Sequence, residues 1–327
     1  MTGPDGRQIA VLLLNMGGPD SLDAVQPFLR NLFSDPAIIR LPGFLRGPLA
    51  AIMSKRRARK VRPRYGLIGG QSPIGPITRD QARALEQVLG AGYGPVLPAF
   101  SYWHPLISSA VTDASHAGAD RLLALSLYPQ YCTATTGSCL EDLSMNLPGT
   151  PFEDSTRIIS SWANHPLYLN ALASTVNEAL ERIPQSVRDD AVILFSAHGV
   201  PESVIKSGDP YLEQTMLTVK GVVDRLEGRE HQVAFQSRLG PVKWIQPSLL
   251  DKLKELSSKG APPLVIVPVS FVSDHIETLY ELDIQHRAIA EELGFTVYER
   301  SPALNARPDF IQALAALVFS AEPHGSE

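Results

Sequence analysis

Four runs in this chain, IAVLLLNM (9–16), RLLALSLY (121–128), AVILFSAH (191–198) and LVIVPVSF (264–271), are almost wholly apolar, without the alternation of a half-wet strand. A strand with one wet face alternates apolar and polar residues, so a continuous run implies burial on both faces of a sheet. Each run is too short for an ordinary helix. Between them lie stretches of helical periodicity, among them TRDQARALEQVL, HPLYLNALASTVNEALERI and SLLDKLKELSSK. Strands buried on both faces and alternating with helices predict an α/β fold with a doubly wound, mainly parallel sheet.

The chain also echoes itself. VLLLNMGGP (11–19) resembles VILFSAHGVP (192–201), and aligning Gly17 with Gly199 and Pro19 with Pro201 sets Met16 opposite His198. HAGADRLLALSLYPQYCTATT (116–136) likewise resembles SKGAPPLVIVPVSFVSDHIET (258–278). Two similar α/β halves explain both echoes, with NLPGTPFEDST (146–156) as the expected boundary. The expected domains are therefore 1–150 and 151–327, the final helix packing back on the first half. At 327 residues the chain has room for two cores. Sheets of this kind bind ligands beyond the carboxyl ends of their strands. Met16, the 128–138 loop, His198 and the 274–281 segment all fall there, and two facing halves would form a cleft.

Composition narrows the classes of function. With 44% hydrophobic and 19% charged residues the chain is globular in character. A formal net charge of −5 disfavours a nucleic-acid partner. Two cysteines, Cys132 and Cys139, are too few for a disulfide framework or a four-thiolate metal site. The segment MTGPDGRQ lacks a basic stretch followed by an apolar one, and no apolar run approaches the roughly 18 residues of a membrane span. A cytoplasmic protein is expected, at most peripheral to the inner face of the membrane.

Chemistry concentrates in two stretches. In FSAHGVPES, His198 closes a buried strand beside a glycine turn, where a neutral imidazole can accept a proton or meet a metal near neutral pH. In SDHIETLYELD, a helix capped by Ser273 would place Asp274, Glu277 and Glu281 on one face at i, i+3 and i+7. Acids in a first turn also complement the helix dipole, which accounts for Asp274 and Glu277 better than for Glu281. With His198 and His275 nearby, such a row suits proton export or transient escort of a divalent cation. Elsewhere, the basic run KRRARKVRPR (55–64) follows the apolar, glycine- and proline-broken LPGFLRGPLAAIM and precedes YGLIGGQSPIGPIT. An apolar lip beside arginines, Tyr65 and Ser72 fits a flat apolar ligand bearing carboxylates. GAGYG (90–94) precedes a strand and is not a dinucleotide fingerprint, and no Walker lysine follows YPQYCTATTGS.

LLLNMGGP, FLRNLFSDP, KRR…YGLIGGQSPI, YPQYCTATTGS, FSAHGVPES, FQSRLGPVKW and SFVSDHIETLYELDI together resemble the ferrochelatases, in family order and over nearly the whole chain. The resemblance implies two Rossmann-like, chelatase-type halves around a porphyrin cleft. It implies a lyase of heme biosynthesis that inserts ferrous iron into a dicarboxylate porphyrin with release of two protons. NMGGP and IGGQSP look more like the protoporphyrin than the coproporphyrin branch. His198 would be the catalytic histidine and Glu277 its carboxylate partner, both meeting the metal. Asp274, His275 and Glu281 would form an acidic path. Met16, Arg57, Tyr65, Ser72, Tyr102 and Trp244 would contact the porphyrin. Iron is then a substrate, with no permanently bound cofactor. Some relatives hold an iron–sulfur cluster through four cysteines, but Thr133 stands at one matching position and the tail SAEPHGSE has none, so no cluster is expected. Eukaryotic relatives carry Arg-Tyr where this chain has Ser101-Tyr102. Peripheral membrane contact through the 41–57 lip is expected. A non-catalytic tetrapyrrole carrier would need the lip but not the acids; a chelatase for cobalt is the nearer alternative.

Overall fold

The computed structural model describes residues 8–39, 41–238 and 242–321. Residues 1–7 of the amino-terminal stretch, 239–241 within FQSRLGPVKW and the end of SAEPHGSE lie outside the described residues. The chain divides into two units: residues up to Trp162 with those from Asn305 onward, and Ala163–Leu304.

Unit 1 runs β1 (Ile9–Asn15), α1 (Val25–Phe33), α2 (Gly43–Leu67), α3 (Ile74–Leu89), β2 (Tyr93–Phe100), α4 (Ile107–His116), β3 (Arg121–Ser126), α5 (Ser138–Asn146) and β4 (Thr156–Ile159). Its four parallel strands are ordered β2-β1-β3-β4. Unit 2 contains α6 (Pro166–Glu181), β5 (Val192–His198), α7 (Glu202–Lys206), α8 (Tyr211–Val223), β6 (His231–Gln236), α9 (Leu249–Ser258), β7 (Leu264–Pro268), α10 (Arg287–Glu292) and β8 (Tyr298–Arg300). Its sheet has the same plan, β6-β5-β7-β8, again all parallel. The chain then returns to unit 1 as α11 (Pro308–Ala321), which packs on α3 and sets Phe310 against Trp162.

The two sequence echoes fall on equivalent strands. β1 and β5 each begin their sheet and lie second in it; β3 and β7 each lie third. A π-helical segment follows in both units, Thr133–Gly137 after β3 and Glu277–His286 after β7. The four apolar runs are thus the four inner strands. All of β1, all of β7 and all of β5 except His198 are buried, because helices cover both faces of each sheet. Leu12, Leu14, Ile107, Val111, Leu122 and Phe152 fill one side of the first sheet, and Leu194, Leu253, Ile266, Leu282 and Phe295 one side of the second. Each such side chain stabilises the fold by about 1.5–3 kcal/mol relative to exposure. Local signals set the helix starts: Ser248 caps α9 by accepting from the Asp251 amide at 3.1 Å, and Pro166 occupies the first position of α6.

Two sequence expectations shift. The division falls after Trp162, not at 150, because β4 completes the first sheet by pairing with β3. The glycines and prolines of the lip do not break it: its residues from Gly43 open the 25-residue helix α2, which continues through the basic run despite Pro48 and Pro63.

Candidate functional site

In unit 2 the parallel register brings three strand ends together. β5 ends at His198, whose register partner on β6 is Gln236, followed by Ser237. β7 lies on the other side of β5, and the chain beyond it carries residues 274–277. Gly199 is required by this closeness, since a Cβ there would meet the Gln236 carbonyl at 2.8 Å.

His198 Nδ1 lies 2.8 Å from Glu277 Oε2. A carboxylate only accepts, so the proton of a neutral His198 sits on Nδ1 and Nε2 is the basic nitrogen. Burial opposes charge on the imidazole, but the charge and hydrogen bond of Glu277, with the charge of Glu281, outweigh it and hold His198 above its ordinary value. Burial pushes Glu277 the other way; the His198 charge and hydrogen bond, then His275 and the Ser237 hydroxyl, prevail and hold it below the usual carboxylate range. The His198 backbone is also fixed. Its amide donates to Ser270 Oγ at 3.2 Å, and Tyr211 Oη donates to its carbonyl at 2.9 Å while lying 2.7 Å from Ser270 Oγ.

The acids do not form the single row that spacing suggested. The helix starts at Glu277, after Ile276, and not at Ser273, so Asp274 precedes it. Asp274 faces Arg300 at 3.2 Å and accepts from Thr278 Oγ1 at 2.9 Å. Arg300 in turn grips Asp283 through Nε at 2.7 Å and Nη2 at 2.9 Å. Glu277 and Glu281 do come together: Ser237 Oγ lies 2.9 Å from Glu277 Oε2 and 2.5 Å from Glu281 Oε2. His275 is buried, with its ring 4.4 Å from that of Phe271 and Nδ1 3.2 Å from the Ser273 carbonyl. Burial holds it below the ordinary imidazole value. The Phe271 ring also meets His198, at 6.1 Å edge to face. Trp244 bridges to Pro201, approaches Gly199, and buries an indole N–H without a partner.

The remaining expected contacts belong to unit 1. Met16 follows β1, half-buried, its amide held by Asn15 Oδ1 at 2.7 Å. Tyr65 and Ser72 are buried, and Ser72 packs against Gly18 so closely that a Cβ there would collide with its Oγ. The Tyr102 hydroxyl lies 2.5 Å from Asp35 Oδ2 and 2.9 Å from Ser138 Oγ; burial and Asp35 raise its pKa. Arg57 is half-buried on α2. On that helix Phe44, Leu45 and Ile52 are exposed, Phe44 by 78%. No helix among the described residues is long and apolar enough to cross a membrane.

Ser237, Gln236, Tyr211 and Ser270 had no role in the sequence reading. Ser237 stood within FQSRLGPVKW, but a lone serine carries no chemical signal until the fold supplies its partners.

Comparison with known proteins gives the family and the fold. The family model described as Ferrochelatase matches residues 8–322. The chain is 46% identical to a ferrochelatase of Geotalea daltonii, over 98% of this chain and 99% of that one. It is 47% identical to a ferrochelatase of Geobacter metallireducens, over 96% and 99%. Among solved structures it is similar to SirB from Bacillus subtilis with Fe3+, with a TM-score of 0.58 and 12% identity over 96% of this chain and 95% of that one. The sirohydrochlorin chelatase SirB from Bacillus subtilis subspecies spizizenii, in complex with cobalt, gives 0.52 and 11% over 98% of each. At such identities the likeness to SirB is one of fold.

Proposed function

The chain belongs to the ferrochelatase family, and we propose that it inserts ferrous iron into a dicarboxylate porphyrin, protoporphyrin IX, to make heme with release of two protons. The observation that carries the mechanism is the His198–Glu277 pair at the end of β5. A planar porphyrin hides its lone pairs and N–H bonds within the ring. Binding energy from remote apolar contacts must therefore distort it before a base can reach a pyrrole proton. His198 is that base: Glu277 holds Nδ1, so Nε2 takes the proton, and the carboxylate stabilises the imidazolium that results. Ferrous iron is a substrate and meets the same pair; no resident cofactor enters the reaction. Trp244, Met16, Arg57, Tyr65, Ser72 and Tyr102 are assigned to the porphyrin, Arg57 to a propionate. The exposed apolar turns of α2 beside Lys55, Arg56 and Arg57 fit peripheral contact with an anionic membrane surface, on the cytoplasmic side.

The test is an anaerobic assay that follows porphyrin absorbance with iron(II), run with protoporphyrin and coproporphyrin and repeated with cobalt(II). Iron(II) with protoporphyrin is expected to react fastest. His198→Ala is expected to abolish turnover while porphyrin binding, held mainly by apolar area, persists. Near-normal turnover in a folded His198→Ala protein removes His198 from the mechanism.

A further inference from the structure

A phenol that donates to a ligand needs a free hydroxyl proton, and that of Tyr102 is committed inside unit 1. The residue lies just beyond β2 and is 7% exposed. Its hydroxyl donates to Asp35 Oδ2 at 2.5 Å and lies 2.9 Å from Ser138 Oγ, which donates to the same Asp35 oxygen. A carboxylate only accepts, so neither proton is left over. The backbone of Tyr102 is held as well. Its amide donates to the Met16 carbonyl at 3.1 Å, and its carbonyl accepts from Asn31 Nδ2 at 3.1 Å. The second Asp35 oxygen, Oδ1, accepts from the Ala37 amide at 2.6 Å.

The sheet order β2-β1-β3 puts the turn after β1, which carries Met16, between the loops that follow β2 and β3. Tyr102 belongs to the first loop. Ser138 opens α5, directly after the π-helical segment that follows β3. Asp35, just beyond α1, takes a hydroxyl from each, so one carboxylate ties together both neighbours of the Met16 turn. The turn itself is pressed on the first loop: at Gly17, with φ +77°, a Cβ would lie 3.0 Å from Phe100 and 3.1 Å from Trp103. A shift of Tyr102 is therefore a shift of Met16. We propose that Asp35 is a positioning residue for the porphyrin, setting through Tyr102 the backbone that carries Met16. Tyr102 then acts on the ring through Met16 and not through its hydroxyl. The inference rests on the assignment of Met16 to the porphyrin.

Asp35→Asn keeps the shape of the side chain but turns one acceptor into a donor. If the Met16 turn is then in place about one time in ten, apparent porphyrin affinity falls about tenfold, because only the competent fraction binds. Asp35→Asn, Tyr102→Phe, Met16→Ala and the doubles Asp35→Asn/Met16→Ala and Asp35→Asn/Tyr102→Phe test this, by anaerobic turnover of protoporphyrin with iron(II) and by thermal unfolding. Asp35→Asn is expected to raise porphyrin KM about tenfold while iron KM stays within about twofold, and Tyr102→Phe to move in the same direction. Added to Met16→Ala, Asp35→Asn should cost less than about twofold more, because the side chain it positions is gone. Tyr102→Phe should likewise add little to Asp35→Asn. A lower melting temperature with unchanged porphyrin KM in Asp35→Asn marks a purely structural acid and overturns the proposal. So do KM losses from Asp35→Asn and Met16→Ala that multiply, with the Met16 assignment left standing. Losses from Asp35→Asn and Tyr102→Phe that multiply give the hydroxyl its own contact with the ring and overturn it too. If Met16→Ala leaves porphyrin KM unchanged, the Met16 assignment falls, and the inference with it. Should Asp35→Asn not fold, Tyr102→Phe with and without Met16→Ala decides by the same rule.

Discussion

Replacing Arg300 by Met removes one charge that serves two carboxylates. The guanidinium side chain is 11% exposed, and its partners Asp274 and Asp283 are 19% and 28% exposed. Deleting one member of a buried pair costs about 3–5 kcal/mol because the partner's charge stays behind. Here water reaches both carboxylates, so the loss is set lower, at about 2–3 kcal/mol, even though two acids are stranded. That corresponds to a fall in melting temperature of about 4–12 °C. The geometry also separates two views of Asp274. If Asp274 carried protons or iron, Asp274→Asn would lower kcat without touching stability. As an anchor for Arg300, the same change should lower the melting temperature by a few degrees and leave kcat within about threefold, since the bidentate Arg300–Asp283 pair survives. Thermal unfolding and anaerobic turnover of Arg300→Met and Asp274→Asn decide this. An unchanged melting temperature in Arg300→Met, together with an inactive Asp274→Asn, would refute the reasoning.

Glu277→Gln is expected to lower kcat by about ten- to a hundredfold, in keeping with loss of a charge-assisted hydrogen bond of about 1.5–3 kcal/mol. Glu277 raises the His198 pKa, so its removal should move the acidic limb of the kcat–pH profile to lower pH. The pair's contribution to stability has its own window. The part from His198 is full below the ordinary imidazole value of 6.5 and lost as pH rises through the raised one; the part from Glu277 is full above 4.5 and lost as pH falls through the depressed one. The stability gap between wild type and Glu277→Gln, measured by denaturant titration, should therefore be widest between these values. Replacing Leu49 and Ile52 by Ser should raise porphyrin KM and weaken sedimentation with anionic vesicles more than it lowers the melting temperature; unfolding would instead mark them as core.

The strands legible in sequence were those at the centre of each sheet. β1, β3, β5 and β7 must be apolar at nearly every position, whereas the edge strands β2, β4, β6 and β8 are partly exposed and read as mixed segments such as YGPVLPAF and YER. His198 was legible as a strand-end histidine, whereas Glu277 was singled out among its neighbouring acids only by the family resemblance; the structure sets the two 2.8 Å apart. Asp274 was drawn into their company by a spacing rule that presumes an α-helix from Ser273. The helix begins later with π geometry, and Arg300 reaches Asp274 from another strand, so linear spacing could not reveal it. Ser237 and Tyr211 acquire their roles only through register and packing across the second sheet.

The return of α11 to unit 1 makes that unit discontinuous in the chain. Unit 2 is one unbroken stretch, Ala163–Leu304, so every strand and helix it needs has been synthesised before residue 305. Unit 1 instead needs a segment that lies beyond unit 2: Phe310 and Leu314 are fully buried, and α11 packs on α3. A chain without α11 therefore keeps every element of the unit bearing His198, while the first unit exposes the apolar surface that α11 covers. Chains truncated before residue 308 should accordingly protect unit 2 from protease and leave α3 open to cleavage and to chaperones.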